Sequence, residues 1–157
     1  MSHTPRRRWL KLAAATFMAT VGVVAATAVP AQAVSVYEGN VPDKLWTGSG
    51  GVKYRCSDDA RTVREAYWPG GGPLAVELRY SPRCRAVWAR AGATIDVIIN
   101  SYRTNGAFRI SEIAGKNPTA SSTAVHWTVM LDDAGLLGEA CIGWWGSGYE
   151  TMCTGRY

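Results

Sequence analysis

From residue 74 onward the sequence alternates between apolar and polar residues with a period of two, and this pattern limits the fold more than any other feature. The alternation covers residues 74–80, 95–100, 108–110, 125–131 and 140–144, and residues 151–157 can form a last strand. Clusters of Gly, Asn, Asp and Ser separate these runs, as turns require. The pattern predicts an all-β fold, a small antiparallel barrel or sandwich with room for one short helix.

The N-terminal segment has the three parts of a secretory signal peptide. R-R-R-W-L-K at residues 6–11 is basic, residues 12–29 are apolar, and Ala31-Gln32-Ala33 forms a small-residue cleavage site. Such a short, alanine-rich core favours a signal peptide over residues 1–33 rather than a membrane anchor. The arginine pair fits the twin-arginine route and the Sec route equally. We therefore expect a secreted, extracellular bacterial protein with no membrane contact after cleavage.

Removal of the signal peptide changes the charge of the chain. The whole chain has 17 basic and 12 acidic residues, but residues 1–33 hold four of the basic and none of the acidic ones. The mature chain is therefore close to neutral, which gives no support for nucleic-acid binding. We expect a loop-rich arm over residues 34–52 and a single β domain over residues 53–157, with Gly, Pro, Ser and Asn concentrated in the arm.

All four cysteines, Cys56, Cys84, Cys141 and Cys153, lie in the exported part of the chain. An even number of cysteines in a secreted domain predicts two disulfides. Their spacing matches no zinc site, so we expect neither a metal nor a cofactor. Three pairings are open. We favour Cys56–Cys84, which would join a loop to a hairpin, and Cys141–Cys153, which would close a short terminal hairpin.

Residues 77–90, E-L-R-Y-S-P-R-C-R-A-V-W-A-R, predict a hairpin that carries four arginines. A three-residue loop at 81–83 would pair every apolar residue on one face, and it would place Arg79 opposite Arg85 on the other. We expect Glu77, with Asp58 or Asp59, to neutralise this pair and hold the preceding loop. The alternative is a fork in which Arg79 and Arg85 grip an external carboxylate or phosphate. Residues 57–67 could start as a capped helix, but the pattern favours a strand.

The hairpin resembles the signature of a bacterial secreted family, the domain of unknown function 2690. Two further segments are similar: C-S-D-D-A-R-T-V at 56–63, and W-T-V-M-L-D-D at 127–133 leading to A-C-I at 140–142. The resemblance covers residues 39–142 and implies no activity and no catalytic residue. Some members carry the domain outside the membrane behind a cytosolic helix-turn-helix part, which implies extracellular sensing or binding. The chain departs from the family at 37–42, where a Cys and an Asp of the family's motif are absent.

The inventory of residues for catalysis is small, so we predict no catalytic residue. His126 is the one histidine outside the signal peptide, and it lies in a predicted strand. Asp58-Asp59 and Asp132-Asp133 are adjacent acids in turns, and such residues usually point apart into solvent. No triad is evident. A small secreted hydrolase that uses His126, Asp132 and Asp133 is the alternative.

Aromatic residues favour a binding module instead. Trp144-Trp145 precedes a Gly-rich turn and Tyr149, and adjacent strand residues face opposite ways. One indole is therefore expected at the surface, where it can contact a sugar face or a protein anchor. We predict a non-catalytic module for a cell-wall glycan or an extracellular protein, with Trp144, Trp145, Tyr149, Arg79 and Arg85 as contact residues. A protease-inhibitor-like interaction protein is a further alternative.

Overall fold

The computed structural model describes residues 35–92, 95–115, 119, 121, 123–143 and 152–157, so the predicted signal peptide lies outside the described residues. The described strands are β1 Trp46–Thr47, β2 Lys53–Tyr54, β3 Arg61–Tyr67, β4 Leu74–Ser81, β5 Ala86–Gly92, β6 Asp96–Arg103, β7 Phe108–Ala114, β8 Val125–Trp127, β9 Leu131–Asp132, β10 Leu136–Gly143 and β11 Met152–Cys153. The helical elements are two 3-10 turns, Ser49–Gly51 and Cys56–Asp59. None of the helices in this described part is long and apolar enough to cross a membrane.

Two antiparallel sheets form a sandwich, as the alternating pattern predicts. The first sheet has the order β3-β4-β5-β8, with β9 also paired to β5, and the second has the order β11-β10-β6-β7. Strand β10 packs across β4 and β5. The main core between the sheets contains Val76, Leu78, Val87, Val97, Ile99, Leu131, Ala140 and Ile142. Burial of this apolar surface is the principal stabilising contribution.

Strand β5 is buried on both faces, which the predicted hairpin register did not anticipate. Val87 and Ala89 face the main core, whereas Ala86 and Trp88 face a second cluster on the other side of the sheet. Tyr37, Trp46 and other residues that precede β3 cover this second cluster. The N-terminal arm is therefore a third layer that lies against the first sheet.

The arm is attached at both ends. At one end, the backbone N–H of Gly39 donates to the carbonyl of Met130, and the N–H of Met130 donates to the carbonyl of Asn40. Just after the other end, Cys56 forms a disulfide with Cys84 at the β4–β5 turn. The second disulfide joins Cys141 and Cys153. Both favoured pairings are thus confirmed.

The predicted register of the arginine hairpin is wrong. Four residues, 82–85, join β4 to β5, and Leu78 lies opposite Ala89 rather than Ala86. Arg79 consequently lies opposite Trp88, so the repulsive pairing of Arg79 with Arg85 does not form. Arg85 is in the turn with a φ of 49°, a left-handed conformation that lets the chain reverse.

The segment after Cys56 follows the favoured strand interpretation. The 3-10 turn Cys56–Asp59 begins with a hydrogen bond from the N–H of Arg55 to Asp58 Oδ2, 2.7 Å long. Strand β3 then runs along β4 as the edge of the first sheet. The prediction allowed for one short helix, and the described residues contain two 3-10 turns, Ser49–Gly51 and this one.

Candidate binding surface

Arg79 is occupied by contacts within the protein. Its guanidinium donates to Thr62 Oγ1 at 2.6 Å and to the carbonyl of Ala60 at 3.0 Å, and it lies 3.8 Å from Glu77 Oε1. Glu77 also pairs with Arg90 at 3.2 Å and accepts a hydrogen bond from Thr62 at 2.7 Å. Glu77 is therefore the centre of a cluster that joins β3, β4 and β5, as expected for a scaffold.

Near the hairpin, the carboxylate of Asp59 forms hydrogen bonds with the turn and not with the arginine side chains. Asp59 Oδ1 accepts a hydrogen bond from the hydroxyl of Ser81 at 2.6 Å, and Asp59 Oδ2 accepts one from the N–H of Arg83 at 3.0 Å. The exposed Arg85 lies apart from Arg79 and uses its carbonyl to accept the N–H of Asp133 at 3.0 Å. The structure therefore does not bring Arg79 and Arg85 together as a fork.

The residues of the hydrolase alternative are far apart. His126 lies opposite Ala91 on β5, whereas Asp132 lies opposite Ala86, five positions along the same strand. At 3.4 Å a residue this is a separation of about 17 Å. A ring nitrogen of His126 instead lies 2.9 Å from the carbonyl oxygen of Ile95. No triad can form from these groups in this arrangement.

An ion pair that the sequence did not indicate links the arm to the second sheet. Arg109 Nη2 lies 2.8 and 3.0 Å from the two carboxylate oxygens of Glu38, which also accepts the N–H of Asp132 at 3.2 Å. A register shift between Ser101 and Tyr102 leaves Arg109 as the extra residue of β7 at this point. Such a bulge redirects a side chain, here toward the arm. Glu38 thereby links β7 of the second sheet to β9 of the first sheet.

The predicted contact residues Trp144, Trp145 and Tyr149 lie outside the described residues. Their described neighbours, Gly143 and Met152, belong to β10 and β11, which pair with each other in the second sheet. The second sheet is therefore the described part of the protein that is nearest to these residues along the chain.

The outer face of the second sheet carries a mixed apolar and polar surface. Alternation puts Val97, Ile99 and Ser101 of β6 inside, and the residues between them outside. We call the outward-facing group the Tyr102 surface, and it consists of Asn100, Tyr102, Phe108, Ile113, Glu139 and Arg156. Phe108 is 60% exposed and Ile113 is 48% exposed, values that are high for large apolar side chains on a paired strand.

Tyr102 is at the centre of this surface. Its hydroxyl donates to Glu139 Oε2 at 2.8 Å, and its ring meets the Phe108 ring edge-on with centroids 5.9 Å apart. The Arg156 guanidinium lies 3.7 Å from the Tyr102 ring centroid, and its Nε is 4.0 Å from Glu139 Oε1. Such stacking and pairing hold the guanidinium in place while its side chain stays 42% exposed.

Electrostatics keep Tyr102 a hydrogen-bond donor. Burial raises the pKa of the phenol, and the hydrogen bond to Glu139 and its negative charge raise it further, whereas Arg156 lowers it. The phenol is therefore protonated at neutral pH, and the surface presents donors from Arg156 and Asn100 beside an acceptor from Glu139.

The Cys141–Cys153 disulfide lies on the same face. Cys141 is opposite Ile98 on β6, one outward position from Glu139, and Asn100 Nδ2 approaches Cys141 Sγ at 3.5 Å. The two sulfurs and a carboxylate oxygen of Glu139 lie within 4.8 Å of one another. Both sulfurs are bonded to each other, so this trio offers no thiolate to a metal in the oxidised protein.

Fold and surface together define a disulfide-stabilised antiparallel β-sandwich with two large apolar side chains, Phe108 and Ile113, exposed on the outer face of its second sheet. The chain belongs to a family described as proteins of unknown function, DUF2690, whose model matches residues 35–141. The resemblance seen in the hairpin is thereby confirmed. The searches of curated proteins and of solved structures gave no match.

Sequence reasoning missed the Tyr102 surface because its parts come from distant strands. Tyr102 and Phe108 flank one turn, but Glu139 and Arg156 arrive from β10 and the C-terminal segment. The exposed Phe108 beside a Gly-containing turn at 103–107 was the signal that could have indicated part of it.

Proposed function

We propose that the protein is a secreted, non-catalytic binding module and that its Tyr102 surface binds a cell-surface glycan. The observation that carries the proposal is the exposure of Phe108 and Ile113 on a sheet face that also holds the Tyr102–Glu139–Arg156 cluster. Both disulfides, and the lack of a membrane-spanning helix in the described residues, are compatible with an extracellular protein.

The order of groups along the face favours a sugar chain. Phe108 pairs with Tyr102 and Ile113 pairs with Ile98, four positions apart on β6, so the apolar ends are separated by about 13 Å. Asn100, Ser111 and Glu139 lie between them. Sugars alternate apolar C–H faces with hydroxyl groups, so an oligosaccharide can place rings over the apolar ends and hydroxyls over the polar centre.

A pull-down tests the proposal. Oxidised protein that lacks residues 1–33 is mixed with bacterial cell walls and with insoluble polysaccharides, and the bound fraction is measured. We expect Phe108→Ala/Ile113→Ala to lose at least about tenfold in affinity, which corresponds to ~1.4 kcal/mol. A matched control is Tyr67→Ala/Leu74→Ala, because these side chains are 54% and 42% exposed on the first sheet.

Parallel variants separate this surface from the loop that sequence reasoning favoured. Trp144→Ala/Trp145→Ala tests whether those indoles extend the site. Equal binding by the wild type and the Phe108/Ile113 variant would contradict the proposed surface. Lack of binding by folded wild type to every polysaccharide would contradict a glycan ligand and favour an extracellular protein.

One observation keeps a small hydrolase as the second candidate. Burial, and then the charge of Asp132, raise the pKa of Asp133 to about 6, with Arg85 opposing, and general acids have shifts of this kind. Turnover of a glycan or peptide substrate that disappears in a folded Asp132→Asn/Asp133→Asn variant would favour this function over binding alone.

A further inference from the structure

We propose that Cys141–Cys153 is a reducible disulfide that controls the Tyr102 surface. The inference concerns regulation, and its link to binding rests on the proposed function. Opening of this bond by an external dithiol would loosen the C-terminal segment that carries Arg156. The other disulfide would stay closed and preserve the fold.

The two disulfides differ in access. Cys153 is exposed, whereas Cys141 is 1% exposed. Cys56 and Cys84 are 0% and 2% exposed, and they lie in the cluster beneath the arm. A thiolate must reach a sulfur along the line of the S–S bond, so exposure of one sulfur is sufficient for attack. We therefore expect a thiolate to reach Cys153 in the native fold and to reach Cys56–Cys84 only after local opening.

Cys141 has one neighbour that assists its departure as a thiolate, Asn100, and one that opposes it, because the carboxylate oxygen Glu139 Oε2 lies 4.0 Å from Cys141 Sγ. An external thiolate forms a bond to Cys153 Sγ, the Cys153–Cys141 bond breaks, and the electron pair leaves on Cys141 Sγ. Asn100 Nδ2 lies 3.5 Å from that sulfur and can donate to the developing thiolate. The second thiol of the dithiol then displaces Cys153. The dithiol is thereby oxidised to a disulfide, and the two cysteines are reduced and take up two protons.

The Cys141–Cys153 disulfide is the covalent cross-link between the C-terminal segment, residues 152–157, and β10. Strand β11 has only two residues, Met152 and Cys153, and it is an edge strand. Beyond it, Thr154 N–H donates to the carbonyl of Ala140, and Tyr157 and Gly138 exchange two backbone hydrogen bonds. Arg156 lies between these contacts and stacks on Tyr102. Met152 and Tyr157 also pack against the main core, so after reduction these non-covalent contacts alone would hold the segment to the sheet. We expect the segment then to exchange more readily between bound and frayed states.

The first experiment measures which bond opens, and it needs no ligand. The oxidised protein is treated with dithiothreitol, samples are trapped with an alkylating reagent, and labelled cysteines are identified by mass spectrometry. We expect Cys141 and Cys153 to be labelled at least about tenfold faster than Cys56 and Cys84. Equal rates, or faster opening of Cys56–Cys84, would overturn the proposal. Asn100→Leu should slow the faster reaction if the amide assists.

The second experiment measures the structural consequence. Amide exchange is compared for the oxidised protein, its selectively reduced form, and a Cys141→Ala/Cys153→Ala variant that cannot close. We expect exchange at Thr154 and Tyr157 to rise by about tenfold or more, with little change at β4 and β5. Unchanged exchange at these two residues would overturn control of the surface. The variant controls for reoxidation, because it cannot form the disulfide again. The reduced wild type controls for a folding defect that the substitutions themselves cause.

Binding separates the two proposals. If oxidised protein binds polysaccharide and reduced protein binds at least about tenfold more weakly, both proposals are supported. Equal binding by the two forms would overturn redox control and leave the binding function standing. If oxidised protein binds no polysaccharide while Cys141–Cys153 opens selectively and the segment loosens, the disulfide device stands and the glycan function fails.

Discussion

At the scale of single residues, Asp133 has the most strongly shifted pKa among the described residues. Its carboxyl group is partly buried after β9, beside the buried Asp132. Burial is the main cause of its raised pKa, the negative charge of Asp132 adds to it, and Arg85 opposes both. The folded state therefore favours the protonated form of Asp133 more than the unfolded chain does.

The sign of the resulting pH dependence follows from linkage. A pKa raised from 3.8 to about 6 contributes stability that is fully present below pH 3.8 and is lost as the pH rises through 6. Asp133→Asn stays uncharged at every pH. We expect its advantage over wild type in the free energy of unfolding to grow by about 1 kcal/mol between pH 4 and pH 8, which is less than the full pKa shift implies because solvent screens the partly exposed carboxyl group. Urea unfolding across this range checks the prediction, with Asp43→Asn as an exposed control. A pH-independent difference would refute it.

At the scale of elements, a glycine sets how closely the two sheets approach. Gly138 in β10 lies against Val87 of β5, and a Cβ added at Gly138 would be 2.9 Å from Val87 Cγ2. Val87 is 1% exposed in the main core, so it has little room to move. A glycine inside a strand commonly marks such a close approach of backbone to a neighbouring side chain.

Gly138→Ala should therefore be destabilising although alanine is ordinarily tolerated in strands. We expect a cost of about 1–3 kcal/mol in the free energy of unfolding, the range for overpacked cores. Val87→Ala alone should also be costly, but the double variant should be more stable than the sum predicts because the new methyl group occupies part of the vacated space. Chemical denaturation of the four proteins measures this coupling. Strict additivity would show that Val87 does not limit the approach.

The strands were predictable from the sequence where one face is buried and the other exposed. Val97 and Ile99 of β6 follow the two-residue period and lie in the main core. Strand β5 was harder because Ala86, Val87, Trp88 and Ala89 are all buried. With both faces apolar, alternation cannot distinguish two registers, and the left-handed turn residue Arg85 gave no signal in the sequence.

The candidate surface was less predictable than the fold for a related reason. Cross-strand neighbours such as Asn100 and Glu139 meet only through the register of β6 with β10. Arg109 turns toward the arm because of a bulge, which local propensity does not reveal. Both pairings join residues that are far apart in the chain and depend on the whole packing, so composition predicted a binding module but gave no indication of this surface.

At the scale of the whole molecule, the arm and the sandwich stabilise each other through two attachments. Near its start, Glu38 pairs with Arg109, where the side chains are 12% and 22% exposed. Just after its end, Cys56 is linked to Cys84 across 28 positions of the chain. Between them, Tyr37 and Trp46 cover the second apolar cluster. Loss of either attachment therefore weakens the docking of the same layer.

The two attachments should consequently be coupled. We expect Cys56→Ala/Cys84→Ala to cost about 2–4 kcal/mol, because the unfolded chain is released from a closed loop. Glu38→Gln should cost about 2–3 kcal/mol, because it leaves the guanidinium of Arg109 without a charged partner. With all three changes, the loss should fall short of the sum by about 1 kcal/mol or more, since an arm already loosened at one end contributes less at the other.

Unfolding by guanidinium chloride gives these free energies for the wild type, the disulfide variant, Glu38→Gln and their combination. Amide exchange at Gly39 and Met130 reports on the docking of the arm itself. Cys141→Ala/Cys153→Ala combined with Glu38→Gln is the control, because that disulfide lies on the second sheet and does not hold the arm. Its effects should add to within ~0.5 kcal/mol. Additivity in both sets would mean that the arm docks as two independent pieces rather than as one layer.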